Sequence, residues 1–325
     1  MTEKSTTKTQ TAHAIRIHAT GGPEVMKFEE VTVQPPAAGE VTIRQKAIGL
    51  NFIDIYFRTG LYPNPMPSGL GFEGAGIVEA VGDRVAYGQG PLGAYATLRT
   101  MPALQVVKLP AKISFEEGAA MMLKGLTVQY LFRQTYRLQG NETILFHAAA
   151  GGVGLIACQW ARALGIRLIG TVSSPEKAAL AKAHGAWETI DYSHENIAER
   201  VKALTDGKKV PVVYDGVGKD TWEASLDSLQ PRGLMVSYGN SSGAVSGVNL
   251  GILASKGSLY VTRPTLGTHV ATREKLEAAT KELFAMVTSG KIRFNVERTY
   301  ALAAVGQAHQ DLAGRKTTGS MVLLP

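Results

Sequence analysis

Ala149, Gly151 and Gly154 in the segment HAAAGGVG stand at the three small-residue positions of a G-x-G-x-x-G turn, with alanine in the first place. Small residues at this spacing suit one kind of chemistry. One lets the chain turn tightly, one lets backbone N–H groups approach a pyrophosphate, and one lets the following helix pack on its strand. Ala150, Gly151, Gly152, Val153 and Gly154 are therefore the candidate phosphate-binding backbone. The helix predicted from Gly152 to Leu164 points its partial positive end at the anion. About 20 residues after such a turn, an NAD site usually places Asp or Glu against the ribose 2′-OH. Here the second strand ends in Thr171, Val172, Ser173 and Ser174, with Lys177 following. Two hydroxyls and an ammonium at that point predict NADPH rather than NADH. Ser174 is equally placed to cap the helix that Pro175 begins.

The elements that must position these groups follow from apolar runs. Thr143 to His147 is long enough for a buried strand and too short for a helix, and Arg167 to Val172 reads as the second strand. Glu188 to Ile190, Pro211 to Asp215, Leu234 to Tyr238 and Ser258 to Thr262 continue the series to six. Helices lie between them, with Trp222, Leu226 and Leu229 at helical spacing and Gly233 where the chain turns into the next strand. Six strands with intervening helices predict an α/β doubly wound parallel sheet over residues 133–265. Before it, residues 12–132 are rich in short strands and turns such as HAIRIH, VTIRQKAIGL and AGIVEAV, which suggests an irregular β domain. Ser114 to Leu131 reads as a helix, with Ser114 and Glu117 forming a capping box. A long amphipathic helix, Ala271 to Gly290, opens residues 266–325. The late strands ending in GSMVLLP are expected to return to the first domain.

Composition narrows the function classes. Of the 325 residues 45% are apolar and 19% charged, ordinary for a soluble globular protein. No apolar run approaches the length of a membrane span, and MTEKSTTKTQT lacks the apolar region of a signal peptide, so a cytoplasmic protein with a disordered tail at residues 1–11 is expected. Cys158 is the single cysteine and reads as a buried small hydrophobe. A net charge of +7 suits anionic cofactors and makes nucleic-acid binding unlikely.

With a β domain first, a dinucleotide fold inserted and a return at the C-terminus, the chain resembles the medium-chain dehydrogenase/reductase superfamily. NFIDIYFRTGLYP, GFEGAGIV, LKGLTVQYL, HAAAGGVG, VVYDGVG, SYGNSSG and YVTRP are similar to its quinone oxidoreductase (zeta-crystallin-like) family. The resemblance implies a GroES-like catalytic domain, a Rossmann domain, NADPH, and reduction of quinones, usually in a homodimer. Zinc alcohol dehydrogenases of the superfamily carry Cys where Asn51 stands and His where Phe72 stands; neither Asn51 nor Phe72 is a plausible zinc ligand, and one cysteine cannot make a four-cysteine site. No metal is expected. The implied chemistry is hydride transfer from nicotinamide C4 to a quinone in the interdomain cleft, with protonation by water or a nearby hydroxyl.

By the same resemblance Asn51, Asp54 and Tyr56 line the cleft near the nicotinamide, and Tyr62 and Arg263 stand at the substrate mouth. Arg263 either meets a quinone oxygen or makes a structural ion pair, and Tyr56 is either at the site or a core aromatic. Thr127, Tyr192, the turn Asp215 to Val217, Tyr238, Gly239, Asn240, Ser241 and Arg315 are added to the cofactor site. The turn Val81 to Arg84 is shorter than the family usually has there. Two other functions compete: an NADPH-dependent enal or enone reductase, and a low-turnover NADPH-binding, RNA-interacting protein.

Overall fold

The structure is a computed structural model that describes residues 8–314 and 318–325. Arg315 lies outside the described residues. In chain order the elements are β1 (Gln10–Ile17), β2 (Met26–Val33), β3 (Glu40–Gly49), α1 (Phe52–Thr59), β4 (Ser68–Gly69), β5 (Gly74–Val78), β6 (Arg84–Tyr87), β7 (Leu98–Pro102), β8 (Val107–Lys108) and α2 (Phe115–Tyr130). Then come β9 (Thr143–Phe146), α3 (Gly152–Ala163), β10 (Arg167–Val172), α4 (Pro175–Ala183), β11 (Glu188–Asp191), α5 (Ile197–Leu204), β12 (Val210–Asp215), α6 (Trp222–Asp227), β13 (Leu229–Ser237), α7 (Gly251–Ser255) and β14 (Tyr260–Thr262). The chain closes with α8 (Leu266–His269), α9 (Arg273–Thr288), β15 (Val296–Ala301), α10 (Val305–Ala313) and β16 (Ser320–Leu324).

Two compact units result, one of Met1–Leu126, Val270–Thr288 and Phe294–Pro325, the other of Thr127–His269 and Ser289–Arg293. The first is β-rich. Its main sheet runs β15-β16-β3-β5-β6-β8, with β7 also paired to β3, and a smaller sheet runs β2-β1-β4. Gln10 and Thr11 already pair with Val33 and Thr32, so the strand begins two residues inside the expected tail. Ile15, Ile43, Leu70, Tyr95 and Leu323 are at the heart of the core. Gly71 has φ of 87° in the left-handed region, and a Cβ there would stand 2.6 Å from Tyr95 Cε1. Only glycine lets Tyr95 lie against this turn.

The second unit is a parallel six-stranded sheet in the order β11-β10-β9-β12-β13-β14, the doubly wound order in which ligands meet the carboxyl ends of the strands. Buried on both faces, β9, β10 and β12 read as nearly continuous apolar runs, TILF, RLIGTV and VPVVYD. Two expectations fail here. Leu229 has helical spacing from Trp222 and Leu226 but begins β13, paired with Val210, and Gly233 sits inside that strand at a register shift rather than before it. Tertiary pairing overrides the local period. Residues Ser289–Arg293, expected in the first domain, fall in the second unit because Arg293 N donates to Gln159 Oε1 at 2.8 Å and Gln159 Nε2 returns a bond to Arg293 O at 3.1 Å. Among the described residues no helix is long and apolar enough to cross a membrane.

Candidate active site

The glycine turn sits where β9 ends and α3 begins. Ala148 has φ of 55°, uncommon for a residue with a side chain, and its carbonyl accepts from Gly151 N at 2.9 Å. A Cβ on Gly154 would stand 2.5 Å from Ala149 O and closer still to Ala148 O. Glycine alone therefore lets the helix start this tightly under the turn. Gly151 provides no side-chain cap for α3, so the N–H groups of Gly152, Val153 and Gly154 open a helix whose first-turn donors have no intrahelical acceptor. This cradle, with Ala150 buried behind it, fits the pyrophosphate of a dinucleotide.

A buried chain of hydrogen bonds holds the turn from below. Ser225 Oγ donates to Asp215 Oδ2 at 2.7 Å, so it accepts from His147 Nε2 at 2.9 Å. His147 Nδ1 then accepts from the Thr171 hydroxyl at 3.1 Å, and Thr171 Oγ1 accepts from Ala148 N at 3.1 Å. The tautomer of His147 is assigned from this order. Burial lowers the imidazole's pKa against a raising effect of Asp215, in keeping with a neutral ring. Thr171, bonded to both His147 and Ala148 N, shapes the turn from inside. Asp215 is likewise committed. Its Oδ1 accepts from Val217 N at 2.8 Å and Gly218 N at 2.9 Å, and Oδ2 also accepts from Thr221 Oγ1 at 2.7 Å.

The neighbouring strand ends converge on the same edge. Ser241 N donates to Gly216 O at 3.2 Å and Tyr238 N to Asp215 O at 2.8 Å, stitching the Tyr238–Gly239–Asn240–Ser241 loop after β13 to the turn at Val217 after β12. At the end of β10 Lys177 Nζ donates to Ser173 Oγ at 3.0 Å, while Ser174 Oγ caps α4 by accepting from Lys177 N at 3.3 Å. Ser174 thus does serve as the cap, and the half-buried ammonium beside two hydroxyls fits a phosphate monoester. Tyr192, 45% exposed, follows β11, and Thr127 is buried in α2. Arg263 Nη1 donates to Ser237 O at 2.7 Å at the end of β13. It lines a cavity of about 450 Å³ with Thr135, Thr262, Thr265 and His269, and His269 stacks on Tyr130 at 4.5 Å. Cys158 is buried with its thiol pushed up to about 12 by burial, a core residue as expected.

In the first unit α1 gathers the other candidates. Asp54 Oδ2 accepts from Asn51 N at 2.9 Å, capping the helix it belongs to, and Asn51 Nδ2 donates to Glu73 Oε2 at 2.8 Å. Glu73 Oε1 accepts from Leu123 N at 2.8 Å, and Lys124 Nζ lies 3.5 Å from Oε2 while donating to Leu50 O at 3.2 Å. Tyr95 OH donates to Asp54 Oδ2 at 2.7 Å. Asp54 is wholly buried and its pKa is raised to about 7, chiefly by burial, against the lowering effects of Tyr95, Asn51 N and Lys124. Tyr56 and Tyr62 meet edge to face at 5.2 Å, and Tyr62 also packs on Phe57. Asn51 and Asp54 are thus joined in one network and Tyr56 and Tyr62 in one aromatic pair. Glu73, Tyr95, Lys124 and His147 are the participants that sequence reasoning missed; a buried Lys, Glu or His needs a partner, but nothing local in the sequence says which are buried.

Among the described residues no group of three or more His, Cys, Asp and Glu side chains is placed to hold a metal ion. Comparison with known proteins gives a consistent result. Residues 37–111 match the model for the alcohol dehydrogenase GroES-like domain and residues 152–285 that for the zinc-binding dehydrogenase. The chain is 63% identical to quinone oxidoreductase of Pseudomonas aeruginosa, with 97% of this chain and 100% of the relative covered. It is 56% identical to quinone oxidoreductase 1 of Escherichia coli K12 at the same coverage. A crystal structure of Escherichia coli quinone oxidoreductase complexed with NADPH superposes with a TM-score of 0.95 at 55% identity, covering 97% of this chain and 100% of that one. With Asn51 and Phe72 at the two positions where zinc enzymes of the superfamily place ligands, the chain belongs to the zinc-independent quinone oxidoreductase family of the medium-chain dehydrogenase/reductase superfamily.

Proposed function

We propose that this chain is an NADPH-dependent quinone reductase working without a metal. The observation that carries the reading is the glycine cradle over α3 with Lys177 held against Ser173 at the end of the adjoining strand, in a chain 63% identical to a quinone oxidoreductase. When bound, NADPH supplies a hydride from nicotinamide C4, which with one proton converts a quinone to a hydroquinone. Quinone carbonyls are electron-poor and hydroquinone oxygens relatively acidic, so the chain's task is orientation rather than Lewis-acid activation.

The backbone of residues 150–154 binds the pyrophosphate, and Ser173, Ser174 and Lys177 bind the 2′-phosphate. We assign Tyr192 to the adenosine end, and Thr127, Val217 and Tyr238–Gly239–Asn240–Ser241 to the nicotinamide end. Asn51, Asp54, Tyr56, Tyr62 and Arg263 are assigned to the reacting side, the two tyrosine rings to stacking and Arg263 to a quinone oxygen. Thr171 and Asp215 act through the turns they hold. We also propose a cytoplasmic homodimer. Its support is β14, an edge strand that exposes Tyr260 at 54% and Val261 at 39% and would otherwise present an unpaired edge; light scattering that finds only monomer removes it.

The test is steady-state NADPH oxidation with 1,4-benzoquinone and a 2-alkenal side by side, with bound metal measured on the same sample. Benzoquinone turnover well above that of the alkenal, unaffected by chelator, is expected. Preference for the alkenal, or activity that tracks bound zinc, would overturn the reading.

A further inference from the structure

The network around Asp54 extends further than α1. Arg58, one turn along the helix, is buried and donates from Nη1 to His309 Nδ1 at 3.0 Å, while its Nε donates to Gly21 O at 3.2 Å. A guanidinium has no acceptor, so Nδ1 must accept and the proton of the neutral ring sits on Nε2. Nε2 lies 3.1 Å from Tyr95 Oη, which therefore accepts from histidine and passes its own proton toward Asp54 Oδ2 at 2.7 Å. Every bond points the same way, from a cation 251 residues away in sequence from its histidine partner to a carboxylate. His309 and Tyr95 are fully enclosed and meet edge to face at 5.8 Å.

Nothing in hydride transfer or in the dinucleotide cradle uses this arrangement. As packing, a triad of Arg, His and Tyr in an apolar core is costly relative to hydrophobic residues of like volume. Asp54 moreover has a second oxygen, Oδ1, that is buried and has no hydrogen-bond partner among the described residues. One oxygen is gripped and the other is left bare.

We propose that Arg58, His309 and Tyr95 are positioning residues for the reaction, a polarised hydrogen-bond relay that fixes the orientation of Asp54 beside Asn51 and sets how tightly it holds a proton. The relay rests on the assignment of Asn51, Asp54 and Tyr56 to the reacting side. Burial raises the pKa of Asp54 to about 7 and drives that of His309 down to about 3, with Arg58 adding to the latter, so the imidazole stays neutral while the carboxyl titrates. The charged or titratable groups facing Asp54 are Tyr95, Lys124 and Glu73, and those facing His309 are Arg58 and Tyr95. Removing the tyrosine hydroxyl takes a donor from the carboxylate and makes Asp54 a weaker acid. Whether turnover needs Asp54 protonated or ionised, the limb of the pH profile that it governs then moves to higher pH.

The experiment uses the full-length enzyme with NADPH and 1,4-benzoquinone. kcat is followed against pH for the parent, Tyr95→Phe, His309→Leu and His309→Gln, and the infrared carbonyl band of protonated Asp54, assigned with Asp54→Asn, is titrated in parallel without substrate. Tyr95→Phe should move both the kcat limb and the carbonyl titration upward by about half a pH unit or more. His309→Leu should do likewise to a smaller extent. His309→Gln, whose amide can accept from Arg58 and donate to Tyr95, should restore the parent profile. Titration of Asp54 unchanged in both Tyr95→Phe and His309→Leu overturns the relay. A shifted carbonyl titration with a parent-like kcat limb keeps the relay's effect on Asp54 but overturns its part in the reaction. Absence of benzoquinone turnover in the parent fails the functional reading alone, because the infrared titration still reports on Tyr95 and His309.

Discussion

Replacing Gly154 by alanine tests the cradle directly. The added Cβ would lie 2.5 Å from Ala149 O and closer to Ala148 O, whereas a carbon normally approaches a carbonyl oxygen no nearer than about 3.3 Å. Both neighbours are backbone, so no side chain can swing aside; the first turn of α3 must retreat by nearly 1 Å or the Ala148 turn must open. Overpacking of this kind costs about 1–3 kcal/mol of stability. A retreat of that size also withdraws at least one N–H from the phosphate, and a charge-assisted bond is worth about 1.5–3 kcal/mol, which is roughly a 10- to 100-fold rise in the Kd for NADPH. Gly151 is the internal control. A Cβ there meets only Ala148 O, at 3.2 Å, so Gly151→Ala should melt close to the parent. NADPH fluorescence titration and thermal melts of the two variants give the answer. Parent-like NADPH affinity in Gly154→Ala, or a larger loss of melting temperature in Gly151→Ala, would refute the geometric reasoning.

Three further outcomes follow from the same contacts. Lys177→Met should raise the Kd for NADPH about 10- to 100-fold and leave that for NADH unchanged, read by paired titrations; equal loss for both cofactors would remove the 2′-phosphate assignment. His147→Leu strands the Thr171 hydroxyl proton in the core at about 1–3 kcal/mol, while Ser225 keeps its bond to Asp215, and should lower the melting temperature and loosen NADPH binding together. Asp54 and His309 should pull stability in opposite directions with pH. The carboxyl, raised to about 7, contributes stability that is present below the unfolded value near 3.8 and lost as pH rises through 7. The imidazole, lowered to about 3, contributes stability present above 6.5 and lost as pH falls. Over roughly pH 4–6.5 the two slopes, each near 1.4 kcal/mol per pH unit, offset one another. Relative to the parent, Asp54→Asn should therefore gain stability as pH rises across that window and His309→Gln should lose it; parallel melting curves would contradict both assignments.

The dinucleotide half was legible because its signals are local. Buried parallel strands leave apolar runs, Gly154 marks a contact that only glycine allows, and Ser174 and Ser114 announce the helices they cap; the Ser114–Glu117 box closes with bonds of 2.9 and 3.1 Å. Leu229 shows the limit of such reading, since its spacing from Trp222 suits a helix while its pairing with Val210 is invisible until the sheet forms. Asn51 and Asp54 could be found from their motif, but what they touch could not. Tyr95 looks like one more aromatic in a turn-rich stretch, and His309 like a lone polar residue on an amphipathic helix. Arg58 and His309 meet only because the last part of the chain returns to the first unit, and no periodicity encodes that meeting.

The two carboxylates at the ends of the buried chains differ in a way that separates holding from reacting. Asp215 receives four donors, two on each oxygen, all within ten residues of its own position. A carboxylate so enclosed has no acceptor capacity left for a ligand, and its work is to lock the turn after β12 and, through Ser225 and His147, the one after β9. Asp54 receives two donors, both on Oδ2, and one of these arrives through a relay that begins at a guanidinium. Its bare Oδ1 is a buried acceptor that folding alone does not satisfy, and leaving such an atom unpaired costs free energy. A buried acceptor left open beside Asn51 is available to a ligand in a way that the oxygens of Asp215 are not, and this supports the proposed assignment of Asp54, rather than Asp215, to the reacting side.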